Sequence, residues 1–270
     1  MPLSEDDFEY ICELVNSHTG ICLRYHEESR LAFQLGPVID RAGLSSLKEL
    51  IIVLRASPYE QIHLQVIESL LVSETYFFRD FPQFEALQKL ILPQYLKQRQ
   101  RKFNIWCAAC SSGQEAYSIA MLIHKYFPII SSSMHLIGSD ISTEMLSRAI
   151  GGCFTQKEVD RGLPLTFLNR YFKKYHNQWF LSEEIRSLVY FRQINLVENW
   201  PPLPQMDIIF MRNVLIYFDV EKRKAILEQV RQLLHPDGYL FLGAAETTTL
   251  TVPYFKPVHF EKAVCYRRKE

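Results

Sequence analysis

Beyond about residue 80 the chain alternates short apolar runs with stretches of helical period, and that rhythm limits what it can fold into. Phe103–Cys107, Met134–Gly138, Leu188–Gln193, Asp207–Met211 and Tyr239–Gly243 read as strands, with Phe260–Arg267 as a closing strand. Helical period fills Phe84–Leu96, Gln114–Phe127 and Val220–Leu234, the last stopped by Pro236-Asp237-Gly238. Strands and helices alternating in this way give the α/β class, a mostly parallel sheet covered on both faces by helices. Residues 152–187 break the rhythm and are expected to form a separate excursion.

Residues 4–72 read differently, as helices only. Phe8, Ile11, Leu14 and Val15 follow the cap candidate Ser4, and Gly20 supplies a stop. Leu31, Leu35, Val38 and Ile39 mark a second helix ending near Gly43. Ser45 or Ser46 opens a third through Leu47, Leu50 and Leu54. Ser57-Pro58 is expected to open a fourth through Ile62, Val66, Leu70 and Leu71. Taken alone, this is a small helical bundle without chemistry of its own. Two domains are predicted, 1–72 and 73–270.

Charge separates the same two parts. The 270 residues carry 30 basic and 30 acidic side chains, so no global attraction to nucleic acid is expected. Residues 1–72, however, hold five Lys/Arg against eleven Asp/Glu, leaving the remainder with the opposite balance. The acidic start predicts no signal peptide, and no apolar run reaches the roughly 18 residues of a membrane span, so a cytoplasmic protein is expected. Six irregularly spaced cysteines fit reduced thiols better than a disulfide framework.

Four segments carry candidate chemistry. Trp106-Cys107-Ala108-Ala109-Cys110-Ser111-Ser112-Gly113-Gln114-Glu115 turns from a strand into a helix, at the sheet edge where open α/β folds bind ligands. Its small side chains would let a ligand approach the backbone, although a tight structural turn explains them equally. Trp-Cys-x-x-Cys also invites a thioredoxin-like reading, but Gly113 rather than Cys110 adjoins the helix. No second Cys/His pair stands at zinc-ligand spacing, so no metal is predicted. Gly138-Ser139-Asp140 ends the next strand, where Asp140 either accepts both hydroxyls of a ribose or caps the following helix. Arg212-Asn213-Val214-Leu215-Ile216-Tyr217-Phe218-Asp219 releases polar groups at another strand end, though Tyr217 could equally be a core-edge tyrosine. Ser73-Glu74-Thr75-Tyr76-Phe77-Phe78-Arg79-Asp80 joins the two parts and sets an arginine beside three aromatics, as a carboxylate partner or a simple anchor.

Together these segments resemble the chemotaxis receptor methyltransferase (CheR) family. The shared features are T-x-F-F-R at Thr75–Arg79, A-A-x-S-x-G-x-E-x-Y-S-I-A at Ala108–Ala120, S-D-I at Ser139–Ile141, Q-x-N-L at Gln193–Leu196 and R-N-V-L-I-Y-F-D at Arg212–Asp219, in the family's order. The resemblance implies a small all-α domain followed by a Rossmann-like, S-adenosylmethionine-dependent methyltransferase domain with an antiparallel β-subdomain inserted at 152–187. It implies cofactor contacts at Ser73, Thr75, Arg79, Glu115, Asp140, Asn195, Leu196, Arg212 and Asn213, with Arg79 and Tyr217 holding the reacting groups. Ser73 stands where Asn is frequent, Cys110 is a departure, and Gln114-Glu115 replaces the usual Glu-Glu. The implied reaction methylates glutamate carboxylates on the helical cytoplasmic domain of methyl-accepting chemotaxis receptors, leaving S-adenosylhomocysteine. A monomer is expected, with no metal and no direct membrane insertion. Methylation of another carboxylate by the same fold, or cofactor binding without turnover, remain the alternatives.

The resemblance raises two further expectations. Members of the family use a basic helical face toward the receptor, for which Arg24, Arg30 and Arg41 are the candidates here. Some members also grip a peptide at the receptor's C-terminus with a glycine-containing turn of the β-subdomain. Tyr171–Phe180 contains no glycine, and Tyr175 and Trp179 are bulky, which predicts an enzyme independent of that tether, recognising the methylation helices directly through a groove between the domains.

Overall fold

The computed structural model describes residues 4–23, 28–98, 102–246 and 254–269. The chain forms two compact units. One comprises residues 1–72 with 217–222, and the other 73–216 with 223–270. The strip 217–222 thus packs with the N-terminal helices, although the sequence assigns it to the second domain.

The first unit is built from α1 (Glu5–Thr19), α2 (Glu28–Arg41), α3 (Leu47–Ala56) and α4 (Gln61–Leu70). Ser4 accepts the Asp7 N–H at the start of α1, and Gly20 closes that helix in the left-handed conformation. Ser46, rather than Ser45, caps α3. Ile11, Val15, Leu31, Leu35, Val38, Leu50, Leu54 and Val66 form one apolar core. The start expected for the fourth helix is corrected. Ser57 ends α3 by donating its N–H to the Val53 carbonyl, and α4 begins only at Gln61. There the Glu60 N–H donates to His63 Nδ1 at 3.1 Å, while His63 Nε2 lies 3.0 Å from the Leu54 carbonyl. A buried histidine joining two helices replaces the serine-proline start. Arg24 and the side chain of Arg30 lie outside the described residues, whereas Arg41 turns its Nε onto the Pro37 carbonyl.

The second unit has β1 (Phe103–Ala108), β2 (Met134–Asp140), β3 (Cys153–Thr155), β4 (Phe172–Tyr175), β5 (Gln178–Leu181), β6 (Val189–Gln193), β7 (Met206–Met211), β8 (Leu234–Leu242), β9 (Phe255–Phe260) and β10 (Ala263–Arg268). Seven strands make one sheet in the order β6-β2-β1-β7-β8-β10-β9. The first five run parallel, and β10 pairs antiparallel with both β8 and β9. Order reverses between β1 and β7, which sets the switch point of the sheet at their carboxyl ends. The apolar β1 and β7, buried along most of their length, form the centre of the sheet as their composition demands.

Residues 152–187 hold a separate three-stranded antiparallel sheet, β3-β5-β4: the broken rhythm implied a separate excursion, and the resemblance implied its antiparallel form. Two expectations need correction. Phe260–Arg267 is not one strand, because the chain turns at Glu261 in a left-handed conformation to make the β9–β10 hairpin. Pro236-Asp237-Gly238 does not follow a helix end as a loop but bulges out of β8. Leu234 pairs with Met206 and Tyr239 with Ile208, so the extra residues are extruded between two ladder positions. The helix expected at 84–96 begins at Phe81 and contains a π-helical turn, Leu87–Ile91.

Candidate active site

All the sequence-derived site residues except Tyr217 fall in the second unit, around the carboxyl ends of β1, β2, β6 and β7. Five non-glycine residues there adopt positive φ: Phe78, Asp80, Ala109, Ser111 and Asn213. Such conformations are costly for side chains with a Cβ, and they persist where surrounding bonds over-determine them.

The loop after β1 shows how. Cys110 donates its N–H to the Ser139 carbonyl at the end of β2. Ser111 donates its N–H to Asp140 Oδ2 at 2.7 Å and its hydroxyl to the Ser73 carbonyl at 2.8 Å. One serine therefore ties the segment before Arg79 to the strand-end acid. Gly113, at φ 89, starts the helix Gln114–Tyr126, and a Cβ there would lie 3.0 Å from that of Ala149. The thioredoxin-like reading fails on burial, because Cys107 and Cys110 are enclosed and desolvation pushes both thiols well above their ordinary range.

Asp140 is buried, and its Oδ1 accepts the Ser142 N–H at 3.0 Å. The helix-cap role belongs instead to Ser142, whose hydroxyl accepts from Met145 at the start of Thr143–Gly151. A carboxylate has about four acceptor directions, so holding two backbone N–H groups is compatible with receiving hydroxyl donors as well. Beside it, the Ile194 N–H donates to the Asp140 carbonyl. This sets Asn195 and the buried Leu196 next in the chain.

Arg212, Glu115 and Asp80 form a charged cluster at the end of β7. Arg212 Nη1 lies 2.7 Å from Glu115 Oε2, and Nη2 lies 2.6 Å from Asp80 Oδ2 and 2.7 Å from the Arg79 carbonyl. The arginine side chain is 1% exposed and that of Glu115 12%. Burial raises the Glu115 carboxyl above its ordinary pKa, and Arg212 opposes that rise. Arg212 Nε is a buried donor without a hydrogen-bond partner among the described residues. Arg79 itself is half-buried, donates to the Glu74 carbonyl and lies 5.4 Å from the Tyr76 ring centroid. Its segment is anchored by Phe77 against Phe154 and Phe172 and by Phe78 against Phe84 and Phe167.

Within the first unit, the Tyr217 carbonyl accepts the Cys22 N–H at 3.0 Å, and Phe218 bridges to Ile21. Sequence reasoning passed over the pairing of Asp80 with Arg212, and over Glu246 altogether. The only signal for Glu246 was an acid shortly after an apolar strand, the same signal that singled out Asp140.

The CheR methyltransferase SAM-binding domain matches residues 73–264. The chain belongs to this family. It is 33% identical to the chemotaxis protein methyltransferase Cher2 of Pseudomonas putida over 97% of this chain and 98% of that one. Chemotaxis protein methyltransferase 1 of Pseudomonas aeruginosa is 32% identical over the full length of both, and chemotaxis protein methyltransferase 1 of Vibrio cholerae 31% identical over 99% and 98%. This CheR protein is therefore an S-adenosylmethionine-dependent methyltransferase of chemotaxis. Its donor set fits that cofactor. Asp140 suits a ribose diol, Asn195 and Leu196 offer an amide and an apolar wall for a base, and arginines beside acids suit an amino-acid end bearing both charges. Among the described residues no group of three or more His, Cys, Asp or Glu could hold a metal ion. No described helix is long and apolar enough to cross a membrane.

Proposed function

We propose that this CheR protein methylates glutamate side chains on the helical cytoplasmic domain of chemotaxis receptors, giving glutamyl methyl esters and S-adenosylhomocysteine. The observation that carries the reading is the joint occurrence, in one chain of this family, of the strand-end acid Asp140 and the buried Arg212–Glu115–Asp80 cluster behind Arg79. When bound, the cofactor supplies a sulfonium methyl that needs no further activation. A glutamate carboxylate, with a reference pKa of about 4.3, is already ionised at neutral pH, so the protein needs no general base. What remains is to orient the groups and exclude water. Ser73, Thr75, Arg79, Glu115, Asp140, Asn195, Leu196, Arg212 and Asn213 are assigned to cofactor binding. Arg79 and Tyr217 are assigned to hold the reacting groups, and Arg212 acts mainly by fixing Glu115 and Asp80.

The reading also includes independence from a receptor tail. Lys173, Lys174 and the 66%-exposed Tyr175 lie on β4, while Trp179 on β5 donates its Nε1–H to Gln156. A turn of Tyr175-His176-Asn177-Gln178, with no glycine, offers a peptide backbone little room.

The test is transfer of labelled methyl from S-adenosylmethionine to receptor cytoplasmic domains, followed by mild alkali. Ester-borne label leaves as methanol, whereas label on nitrogen stays. Alkali-stable label, or no transfer by a protein that binds the cofactor, would overturn the acceptor assignment. Deleting the receptor's C-terminal tail should leave the rate unchanged, and a drop would overturn independence from it.

A further inference from the structure

Glu246 is a carboxylate near the site that accepts four backbone N–H groups, and none of the roles described so far uses it. It follows β8, which neighbours β7 in the sheet. Its side chain is buried, with the residue 1% exposed. Oε2 accepts the N–H groups of Gly243 at 2.6 Å and Asn213 at 2.8 Å. Oε1 accepts those of Leu215 at 2.7 Å and Val214 at 2.9 Å. Three consecutive amides after Arg212 thus converge on one anion, in the manner of a backbone nest filled by a side chain.

The arrangement is specific to a carboxylate. Asn213 sits at φ 58, which directs its N–H and those of the next two residues the same way. Neither side of the acceptor can be replaced by a donor. Gly243 is equally constrained, since a Cβ there would lie 2.6 Å from Asn213 Nδ2, 2.8 Å from Glu246 Oε2 and 2.9 Å from the Asn213 nitrogen. Gly243 and Glu246 form one closely packed unit against the strand-end loop.

We infer that Glu246 is a positioning residue for cofactor binding. By holding the amides of 213–215 it fixes the exit of β7, and with it the orientation of Arg212 and Asn213. The inference rests on the reading that this strand end contacts S-adenosylmethionine, but its first test does not need the cofactor. In Glu246→Gln one oxygen becomes an NH₂ group facing two N–H donors, so that pair loses its acceptor.

Hydrogen exchange of the free protein is the first measurement. In Glu246→Gln, amide exchange at 213–215 should accelerate by about tenfold or more, with β1 and β2 unchanged. The second measurement is calorimetric affinity for S-adenosylmethionine, which should weaken by about tenfold. The third uses Glu246→Ala, where added formate should refill the carboxylate position. Formate should recover affinity saturably, and chloride at the same ionic strength should not. A residue that only stabilises the fold would raise exchange everywhere and would not respond to formate selectively. Unchanged exchange at 213–215 overturns the clamp, as does lost affinity in folded Glu246→Ala that formate leaves untouched. Should Glu246→Ala fail to fold, the glutamine variant decides. If wild type itself binds no cofactor, the cofactor reading falls while the exchange experiment still decides the clamp.

Discussion

The helix starts of the first unit are capped by partners nearby in the chain, whereas the charged groups at the carboxyl edge of the sheet reach far along it. Ser46 caps a helix by accepting an N–H three residues on, and His63 reaches a carbonyl nine residues back. Arg212 pairs with Glu115 and Asp80 across 97 and 132 positions. The first unit has an apolar core, and its buried polar residues, Thr19 and His63, sit at helix ends. The second collects left-handed residues and buried charges in one place. Local bonds stabilise an element whether or not the rest is formed. Distant ones stabilise only the assembled edge, which is what a binding site requires, since its geometry exists only in the whole fold.

The difference is broken most directly at Arg212. Arg212→Ala leaves Glu115 buried without its cation, a change that costs about 3–5 kcal/mol. Asp80 is 35% exposed in its side chain, so water takes over part of its charge and most of the loss falls on Glu115. Chemical unfolding of Arg212→Met should show a similar cost, because filling the volume does not restore the charge. Adding Glu115→Gln to that variant should recover part of it, and a double-mutant cycle measures the coupling. A loss under about 1 kcal/mol would place the ion cluster among the weak surface pairs.

Asp140→Ala comes next and acts on binding more than on folding. If its carboxylate receives ribose hydroxyls, each charge-assisted bond lost is worth roughly 1.5–3 kcal/mol. Affinity for S-adenosylmethionine should therefore fall by at least about tenfold. Calorimetry on a folded variant checks this, and unchanged affinity would leave Asp140 a structural role, holding the Ser111 and Ser142 N–H groups.

A pH measurement sharpens the contrast. Burial raises the folded pKa of Glu115 above its ordinary value. The native state therefore binds its proton more readily than the unfolded chain. The contribution from that carboxyl is fully present below the unfolded pKa and is lost as pH rises through the folded value. Wild-type stability relative to Glu115→Gln should thus be greatest in acid and decline as pH rises above about 4.3. An advantage that grows with pH would mean that the Arg212 attraction outweighs desolvation.

How far the sequence was legible follows the same division. Ser4, Gly20, Gly43 and Ser46 announce helix ends because capping depends on residues a turn apart. Asp140 was legible because strand, acid and helix are consecutive. The start of α4 was not, since Glu60 and His63 are poor cap signals and the Leu54 carbonyl that holds His63 lies nine residues back. The β9–β10 hairpin was missed because Glu261 lacks a glycine or asparagine signature for its left-handed turn. The partners of Arg212 could be quoted from the sequence but not paired, and Glu246 could not be connected to Asn213 across a separation of 33 positions. The packing of 217–222 with the N-terminal helices was hidden for the same reason.

The smallest effect belongs to the helical unit and separates two adjacent serines. Ser46 holds extended backbone angles and accepts the Glu49 N–H at 3.2 Å. Glu49 reaches past it to Ser45, accepting the hydroxyl at 2.6 Å and the N–H at 2.8 Å. Those two bonds, the hydroxyl's first, hold the Glu49 carboxyl below its ordinary range. A lowered folded pKa contributes stability above the unfolded value and loses it as pH falls through the folded one. Ser46→Ala removes a cap that does not titrate, so it should cost about 1 kcal/mol at every pH across the carboxylate range. Ser45→Ala should cost less, and its cost should shrink as the solution is made acid. Neither should alter affinity for S-adenosylmethionine, because a local bond at a helix end sets no geometry at the sheet edge. Thermal unfolding of both variants at neutral and acid pH, with calorimetry of cofactor binding alongside, checks all three expectations. A cap loss that weakened cofactor binding tenfold would show the two units to be coupled, and the division between near and distant partners would no longer separate stability from function.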